Sequence, residues 1–307
     1  MLAILFKTLP FFALIALGYW AGRTRFFTQE ATAYLTKFVF YFALSAMIFR
    51  FAANLELAEV WDLNLVLAYL SGTVLVYLIA TGVGILRRLD MPTTAVEAQC
   101  AVIGNAGFLG LPMLALLFGP QAIGPVMLVL ATDLIVFSSL IVILISVGQD
   151  GRMSWAVLRT IPMGLVKNPM IVAMSLGLIW SGFKIPTPEP VNDFLTILGG
   201  AATPGALFAI GASLASKSAE RLPIAGWLSF CKLVLHPAAV AVSALLIFNV
   251  DPFGAAMIIA CAAMPVAGNI YMLAQHYGVA PQRVSAAILV STALSIASLT
   301  AVIAWIS

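Results

Sequence analysis

Two asparagines, Asn105 and Asn269, each follow a glycine inside a long apolar stretch, in a Val-x-Gly-Asn pattern that occurs at 102–105 and again at 266–269. An asparagine amide can donate and accept hydrogen bonds. Burying it in hydrocarbon without a partner costs a few kcal/mol. We therefore expect both amides to face a polar cavity, where they could bind a polar or charged molecule. The alternative is that they only join neighbouring helices, as Gly and Asn do in many helix bundles.

Helix-breaking residues surround both asparagines: Gly104, Pro112, Pro265 and Gly268. Glycine lacks a side chain and proline lacks an N–H group, so both weaken a helix. In a bilayer, a break in a helix survives only where it is buried in protein or lines a polar cavity. The bared helix ends would offer N–H groups to an anion and carbonyl groups to a cation. These residues and the two asparagines therefore predict one central binding site.

Three ionisable residues also lie within apolar stretches: Asp133, Lys232 and His236. An ionisable group in a membrane span is by default a functional candidate, here for balancing charge or for coupling to protons. Lys232 and His236 are four residues apart and share one helical face. The alternatives are an ion pair or an interfacial position for Asp133, extension of Lys232 to the cytoplasmic interface, and a bond from His236 to a carbonyl opened by Pro237.

The composition places these residues in an integral, all-α membrane protein. The chain of 307 residues is 63% hydrophobic and 9% charged, against about 25% charged residues in soluble domains. Its apolar segments reach the length of about 20 residues that a spanning helix needs, and they lack the alternation of an outer-membrane barrel. The small net charge of +3 gives no reason to expect nucleic acid. No metal-ligand spacing, nucleotide-binding loop or nucleophile–base pair is present, so we expect no metal, no cofactor and no enzymatic activity.

The apolar segments divide into about ten predicted spans: 3–22, 31–53, 63–86, 96–118, 121–147, 168–183, 192–215, 224–248, 253–277 and 284–305. The fourth and ninth contain the interruptions. The shorter segment 155–166 is predicted to be an interfacial helix on a connecting loop. Glu97 and Gln99, near the start of the fourth span, are predicted to form a cytoplasmic entrance.

The basic residues predict how the spans are oriented. Most Lys and Arg residues fall in the odd-numbered connections, and connections rich in these residues face the cytoplasm. Both termini should then lie on the outer, periplasmic side of the inner membrane. The first and sixth spans cross in opposite directions, so we expect two inverted five-helix repeats, 1–148 and 168–307, joined by a cytoplasmic loop at 149–167.

The second and seventh spans extend the comparison between the two halves. Residues 43–49 and 202–208 both place a small or helix-breaking residue near the middle of the membrane. Ser45 and Pro204 hold these positions. We therefore add Ser45 and Pro204 to the candidate substrate-binding residues.

These motifs together resemble those of the auxin efflux carrier family, which includes plant auxin exporters and bacterial malonate-type permeases. The resemblance covers essentially the whole chain and rests on Gly-Asn-x-Gly-Phe-x-Gly-x-Pro at 104–112, Asp133, Lys167-Asn168-Pro169, the run 204–214, the run 232–237, and Pro265 with Asn269. It implies a ten-helix, five-plus-five inverted repeat related to the bile acid:sodium symporter fold. Spans four and nine would cross in a transport domain that moves against a scaffold, and the protein would form a homodimer.

The resemblance further implies a secondary transporter that carries a small organic anion by alternating access of the elevator type. Ser45 stands where the family often has proline, so the substrate stays open. The long cytoplasmic loop of the plant exporters is absent, which favours a short permease of the bacterial type. Coupling to protons or sodium also stays open. One alternative is a sodium-coupled symporter of the bile-acid type, and another is a channel or membrane sensor.

Overall fold

A computed structural model describes residues 2–55, 62–150, 163, 166–216 and 222–306. These residues form twelve helices and no strand: α1 Leu2–Arg23, α2 Gln29–Ala53, α3 Leu63–Leu86, α4 Met91–Val102, α5 Ala106–Phe118, α6 Pro120–Gln149, α7 Pro169–Gly182, α8 Glu189–Leu214, α9 Leu222–Ile247, α10 Pro252–Ala262, α11 Gly268–His276 and α12 Pro281–Ile306. Most of the interfacial helix predicted at 155–166 lies outside the described residues.

The helices have the length and composition of membrane-spanning segments. Within the described ranges, six helices are long and apolar enough to cross a bilayer: α2, α3, α6, α8, α9 and α12. The helices α5, α7 and α10 are apolar but shorter. The observed bounds agree with the predicted spans to within a few residues, except at the two interruptions. The predicted all-helical membrane protein is therefore confirmed at this level.

The two predicted interruptions are real breaks in the backbone. The helix α4 ends at Val102 and α5 begins at Ala106, with Ile103 in an extended conformation between them. Likewise α10 ends at Ala262 and α11 begins at Gly268. Each predicted long span at these places is thus a pair of half-helices.

The helices pack as two groups. In the first group, α1 and α2 each pack along α8, and α2 also packs along α7. In the second group, α3 packs along α4 and α9, while α6, α10, α11 and α12 complete the packing around the two breaks. Fewer contacts join the groups, and several of these involve the start of α5. The broken helices therefore belong to the second group, and the first group flanks it.

Glycines bring α1 and α8 into close contact. A Cβ atom added to Gly18 would clash with the backbone oxygen of Phe208, and one added to Gly211 would clash with that of Ile15. Small residues at such positions let two helix backbones approach closely in a membrane. No flexible side chain can move aside here, because the neighbouring atoms are backbone.

We therefore expect Gly18→Ala to lower the free energy of unfolding by about 1–3 kcal/mol, the usual cost of overpacking. Gly226→Ala is the matched control, because open space surrounds Gly226 on α9; it should leave stability unchanged or raise it by up to ~1 kcal/mol. Thermal unfolding in detergent measures both effects. Equal stability of Gly18→Ala and the unsubstituted protein would contradict this account of the α1–α8 contact.

Certain local features occur at matching places along the two halves of the chain. Arg88 after α3 and Asn249 after α9 both adopt positive φ, the left-handed conformation that commonly ends a helix. Two residues later, Asp90 caps α4 and Asp251 caps α10, each accepting a backbone N–H with its side chain. Hydrogen bonds from the side chain and backbone N–H of Thr93 hold the pKa of Asp90 below its usual value, so this cap stays ionised at neutral pH. Each broken helix thus begins with the same turn and the same cap.

Candidate functional site

The two broken segments meet and pair through their backbones. The amide of Asn105 donates to the carbonyl of Pro265 at 2.8 Å, and the amide of Ala267 donates to the carbonyl of Ile103 at 3.1 Å. These bonds form an isolated antiparallel bridge between Gly104 and Val266. Backbone groups inside a membrane must find partners within the protein. Each break therefore supplies hydrogen-bonding partners to the other.

Four helix ends converge on this crossing. The carboxyl-terminal ends of α4 and α10 lie at the crossing, and so do the amino-terminal ends of α5 and α11. Carboxyl-terminal ends carry partial negative charge and amino-terminal ends carry partial positive charge. The carbonyl of Asn105 accepts the amides of Leu109 and Gly110, both at 3.0 Å. The amide of Val266 donates to the Ser291 hydroxyl of α12 at 3.1 Å.

The two amino-terminal ends at the crossing differ in how they are covered. At the start of α5, a Cβ added to Gly107 would lie 2.8 Å from the Met170 side chain, so this end is packed against α7. At the start of α11, Gly268 is exposed, and no atom apart from its chain neighbours and the nearby backbone of α11 lies within 4 Å of its Cβ position. Ala267, the residue before α11, gives this helix no side-chain cap. The amino-terminal end of α11 is therefore open to a ligand, whereas that of α5 is closed.

The predicted asparagines flank this open end. Asn105 is 8% exposed, and its side chain makes no capping hydrogen bond at the start of α5. Asn269 lies in the first turn of α11, and its Oδ1 atom is enclosed without a hydrogen-bond partner among the described residues. Gly104, Pro112 and Pro265 are buried. These three residues shape the crossing, and Asn269 Oδ1 could accept a hydrogen bond from a ligand.

Lys232 of α9 reaches the crossing from behind. The side chain is fully buried, and its Nζ atom donates to the carbonyl of Ala262, the last residue of α10. A Cβ added to Gly104 would lie 3.1 Å from the same Nζ atom. An ammonium group at the carboxyl-terminal end of a helix compensates the negative end of its dipole. The interpretation that Lys232 extends to the cytoplasmic interface is therefore wrong.

His236 connects Lys232 to α3. The Thr73 hydroxyl donates to the carbonyl of Tyr69 at 2.6 Å, so it accepts from His236 Nε2 at 3.0 Å. His236 Nδ1 then accepts from Lys232 Nζ, also at 3.0 Å. This arrangement requires a neutral imidazole with its proton on Nε2. Among the described residues, no hydrogen bond is found from His236 to the backbone carbonyl that loses its helical partner at Pro237.

Asp133 lies on the other side of the same cluster. The carboxylate is 4% exposed and accepts a hydrogen bond from Tyr69 Oη at 2.9 Å. It also interacts electrostatically with Lys232. The three predicted ionisable residues thus lie together behind the crossing. Because Asp133 has partners in this cluster, its presence in an apolar stretch does not require a position near the membrane interface. Because Lys232 and Asp133 carry opposite charges, the cluster compensates its own charge.

Ser45 and Pro204 belong to helices that flank the crossing. The Ser45 hydroxyl donates to the carbonyl of Phe40 in its own helix at 3.1 Å. The ring of Phe40 stacks on that of Phe108 in α5, with centroids 6.1 Å apart. Pro204 is exposed, and its neighbour Gly205 packs against Val39. The Phe40–Phe108 contact therefore joins the helix of Ser45 to the other group, whereas the Gly205–Val39 contact lies within the first group. Among the described residues, no hydrogen bond links Ser45 to Asn105 or Asn269.

Sequence reasoning missed Tyr69 and Thr73. The signal was available, since these two polar residues are four apart on α3, as Lys232 and His236 are on α9.

The predicted cytoplasmic entrance at Glu97 and Gln99 is wrong. Both side chains are buried, at 2% and 1% exposed, and Glu97 is held by two arginines instead of lining an opening.

Comparison with known proteins supports a transport role for this arrangement. A family model described as "Membrane transport protein" matches residues 3–303. A protein of Rhizobium meliloti (strain 1021) named "Putative malonate transporter" is 29% identical over 295 residues, which cover 95% of this chain and 92% of that protein. An "Uncharacterized transporter" of Methanothermobacter thermautotrophicus is 28% identical over 295 residues, or 93% of each chain. The chain therefore belongs to the membrane transport protein family that contains the auxin efflux carriers.

Proposed function

We propose that this protein is a secondary transporter that carries a small organic anion across the inner membrane by alternating access. The observation that carries the proposal is the open amino-terminal end of α11 at the crossing of two broken helices. Unpaired N–H groups and the helix dipole make such an end a binding site for a carboxylate or phosphate. Asn105 and Asn269 provide amides beside it, and Asn269 Oδ1 has no hydrogen-bond partner among the described residues.

The charge distribution favours an anion over a cation at this place. The carbonyl of Ala262, which a cation could otherwise use, already accepts a hydrogen bond from the Lys232 ammonium group. Asp133 compensates that ammonium group from the side of α3 and α6. We infer that Lys232, Asp133 and His236 balance charge behind the site, and that transport therefore needs no sodium. The sodium-coupled alternative predicts the opposite, namely transport or thermal stability that increases with sodium.

The packing of the helices supports an elevator-type movement. We propose that α4 with α5, and α10 with α11, each form one interrupted span, which gives ten spans in two inverted repeats. The matching turns and caps at Arg88–Asp90 and Asn249–Asp251 support this assignment. The group formed by α1, α2, α7 and α8 would act as the scaffold, and the remaining helices would carry the crossing past it.

The proposed substrate is a monocarboxylate or dicarboxylate. Support comes from the relative named as a malonate transporter and from the space beside Gly268, where a carboxylate could approach the amides of α11. We also propose periplasmic termini, from the distribution of basic residues. A homodimer, which the resemblance implies, is a further proposal, and the mass of the purified protein in detergent tests it.

Substitution of both asparagines tests the site. We expect the Asn105→Ala, Asn269→Ala double variant to reduce carboxylate uptake into proteoliposomes by about 10-fold or more, because a hydrogen bond to a charged group contributes about 1.5–3 kcal/mol. The measurement uses a panel of labelled monocarboxylates and dicarboxylates, each with and without sodium. The matched control is Asn192→Ala in α8, which lies in the other helix group. Unchanged uptake by a folded double variant would remove the crossing from the transport pathway.

A further inference from the structure

A cavity that is separate from the crossing lies between α3, α4 and α6. Its volume is about 520 Å³, within the range of roughly 300–1,000 Å³ for small-molecule sites. The walls are almost entirely apolar and include Val74 and Leu78 of α3, Ala95 of α4 and Leu140 of α6. A hydrated anion gains nothing from such walls. The occupant must therefore be largely hydrocarbon.

The cavity has the length and the opening of a site for a lipid tail. Its lining extends along α3 from Val74 to Ile85, a rise of about 16 Å at 1.5 Å per residue. One leaflet of the hydrocarbon core is about 15 Å thick, half of the ~30 Å core. Leu78 and Ile85 on its rim are 61% and 65% exposed, so the cavity opens on the outer surface of the helices. An acyl chain of one leaflet could lie in it along its whole depth.

The end of the cavity near Ile85 offers groups that suit a phospholipid headgroup. Arg88 lies two residues after the end of α3, is exposed, and precedes Leu89, which lines the cavity. A basic side chain at the membrane surface attracts anionic lipid. Thr94, which also lines the cavity, packs against Gly84 near the end of α3, and its hydroxyl is buried without a hydrogen-bond partner among the described residues.

We propose that this cavity binds one acyl chain of an anionic phospholipid, with the phosphate at Arg88. The three helices that form the site belong to the group that contains the crossing. The lipid would therefore stay with the crossing if that group moves. This binding does not depend on which solute the protein carries.

Photolabelling tests the proposal. The full-length protein is reconstituted with a phosphatidylglycerol that carries a diazirine on one acyl chain, and in parallel with the phosphatidylcholine analogue, and labelled peptides are located by mass spectrometry. We expect phosphatidylglycerol labelling to concentrate on the lining segments of α3, α4 and α6. Val74→Trp, which fills the deep end, should abolish this labelling. Leu75→Trp is the matched control, because Leu75 is exposed on the same helix and does not line the cavity.

A third variant tests the headgroup. Arg88→Gln should reduce labelling by phosphatidylglycerol about fivefold, the effect of one basic side chain near an anionic membrane surface, and should leave labelling by phosphatidylcholine unchanged. Labelling spread evenly over all exposed helix faces would overturn the proposal, as would equal labelling of Val74→Trp and Leu75→Trp. Equal labelling by the two lipids in the unsubstituted protein would overturn the assignment of an anionic headgroup to Arg88.

Discussion

Replacing Lys232 with methionine is expected to lower the free energy of unfolding by about 3–5 kcal/mol, the usual cost of removing one partner from a buried charge pair. The side chain is fully buried and serves two acceptors, the carbonyl of Ala262 and His236 Nδ1. Methionine fills a similar volume but donates no hydrogen bond. It would leave the end of α10 uncapped and the Asp133 carboxylate without its positive neighbour.

A double-mutant cycle separates these two losses. If the unbalanced Asp133 carboxylate causes most of the lost stability, Asp133→Asn combined with Lys232→Met should be more stable than Lys232→Met alone. The reason is that the double variant no longer buries an unpaired charge. Unfolding in detergent, followed by heat or denaturant, measures each variant. Lys184→Met is the control, since Lys184 is exposed and its replacement should change stability by less than about 0.5 kcal/mol.

The same variants test the role of the cluster in transport. We expect Lys232→Met to lose carboxylate transport even at temperatures where it stays folded, since the crossing would lose the positive charge beside Gly104. A Lys232→Met protein as stable and as active as the unsubstituted one would show that the buried ammonium neither caps α10 nor balances Asp133.

The second large effect is expected at Glu97. This carboxylate is 2% exposed and joins three helices, because it pairs with Arg87 at the end of α3 at 2.7 Å and with Arg283 in the first turn of α12. Glu97→Gln should lower the free energy of unfolding by about 3 kcal/mol, at the lower end of the range for buried pairs because both guanidinium groups are partly exposed. Arg87→Gln should cost less, since Glu97 would keep Arg283 as its partner.

Hydrogen exchange locates this effect within the molecule. In Glu97→Gln, exchange should increase at the end of α3, in α4 and at the start of α12, while α1 and α8 stay protected. The neighbouring substitution Arg88→Gln is the control, because no ion pair between Arg88 and the described residues is recorded. Equal stability of Glu97→Gln and Arg88→Gln would mean that the ion pairs do not hold these helices together.

The positions of the breaks could be predicted because their causes are local. Gly104 and Pro265 weaken helical hydrogen bonding whatever surrounds them, and the apolar runs beside them have to be helical in a membrane. The same reasoning predicted that Asn105 and Asn269 would accompany the breaks. It could not predict that the end of α5 is closed by Met170 while that of α11 is open, because a residue on α7 decides this.

The surroundings of the charged residues were less predictable. Lys232 has a long side chain that could extend toward the interface or turn inward, and only the position of the Ala262 carbonyl shows that it turns inward. Glu97 looked like part of an entrance because its partners lie on other helices, Arg87 at the end of α3 and Arg283 far along the chain in α12. Long-range partners of this kind leave no periodic pattern in a single sequence.

The sequence by itself determined that this chain is a helical membrane protein with two interrupted spans, since composition, segment length and helix-breaking residues act locally. The tertiary structure decided which backbone groups meet at the crossing and which helix end stays open. It also decided that Lys232, His236, Asp133 and Tyr69 form one cluster behind it. The physical reason is that hydrogen bonds and ion pairs between helices depend on how those helices pack, and packing brings together residues far apart along the chain.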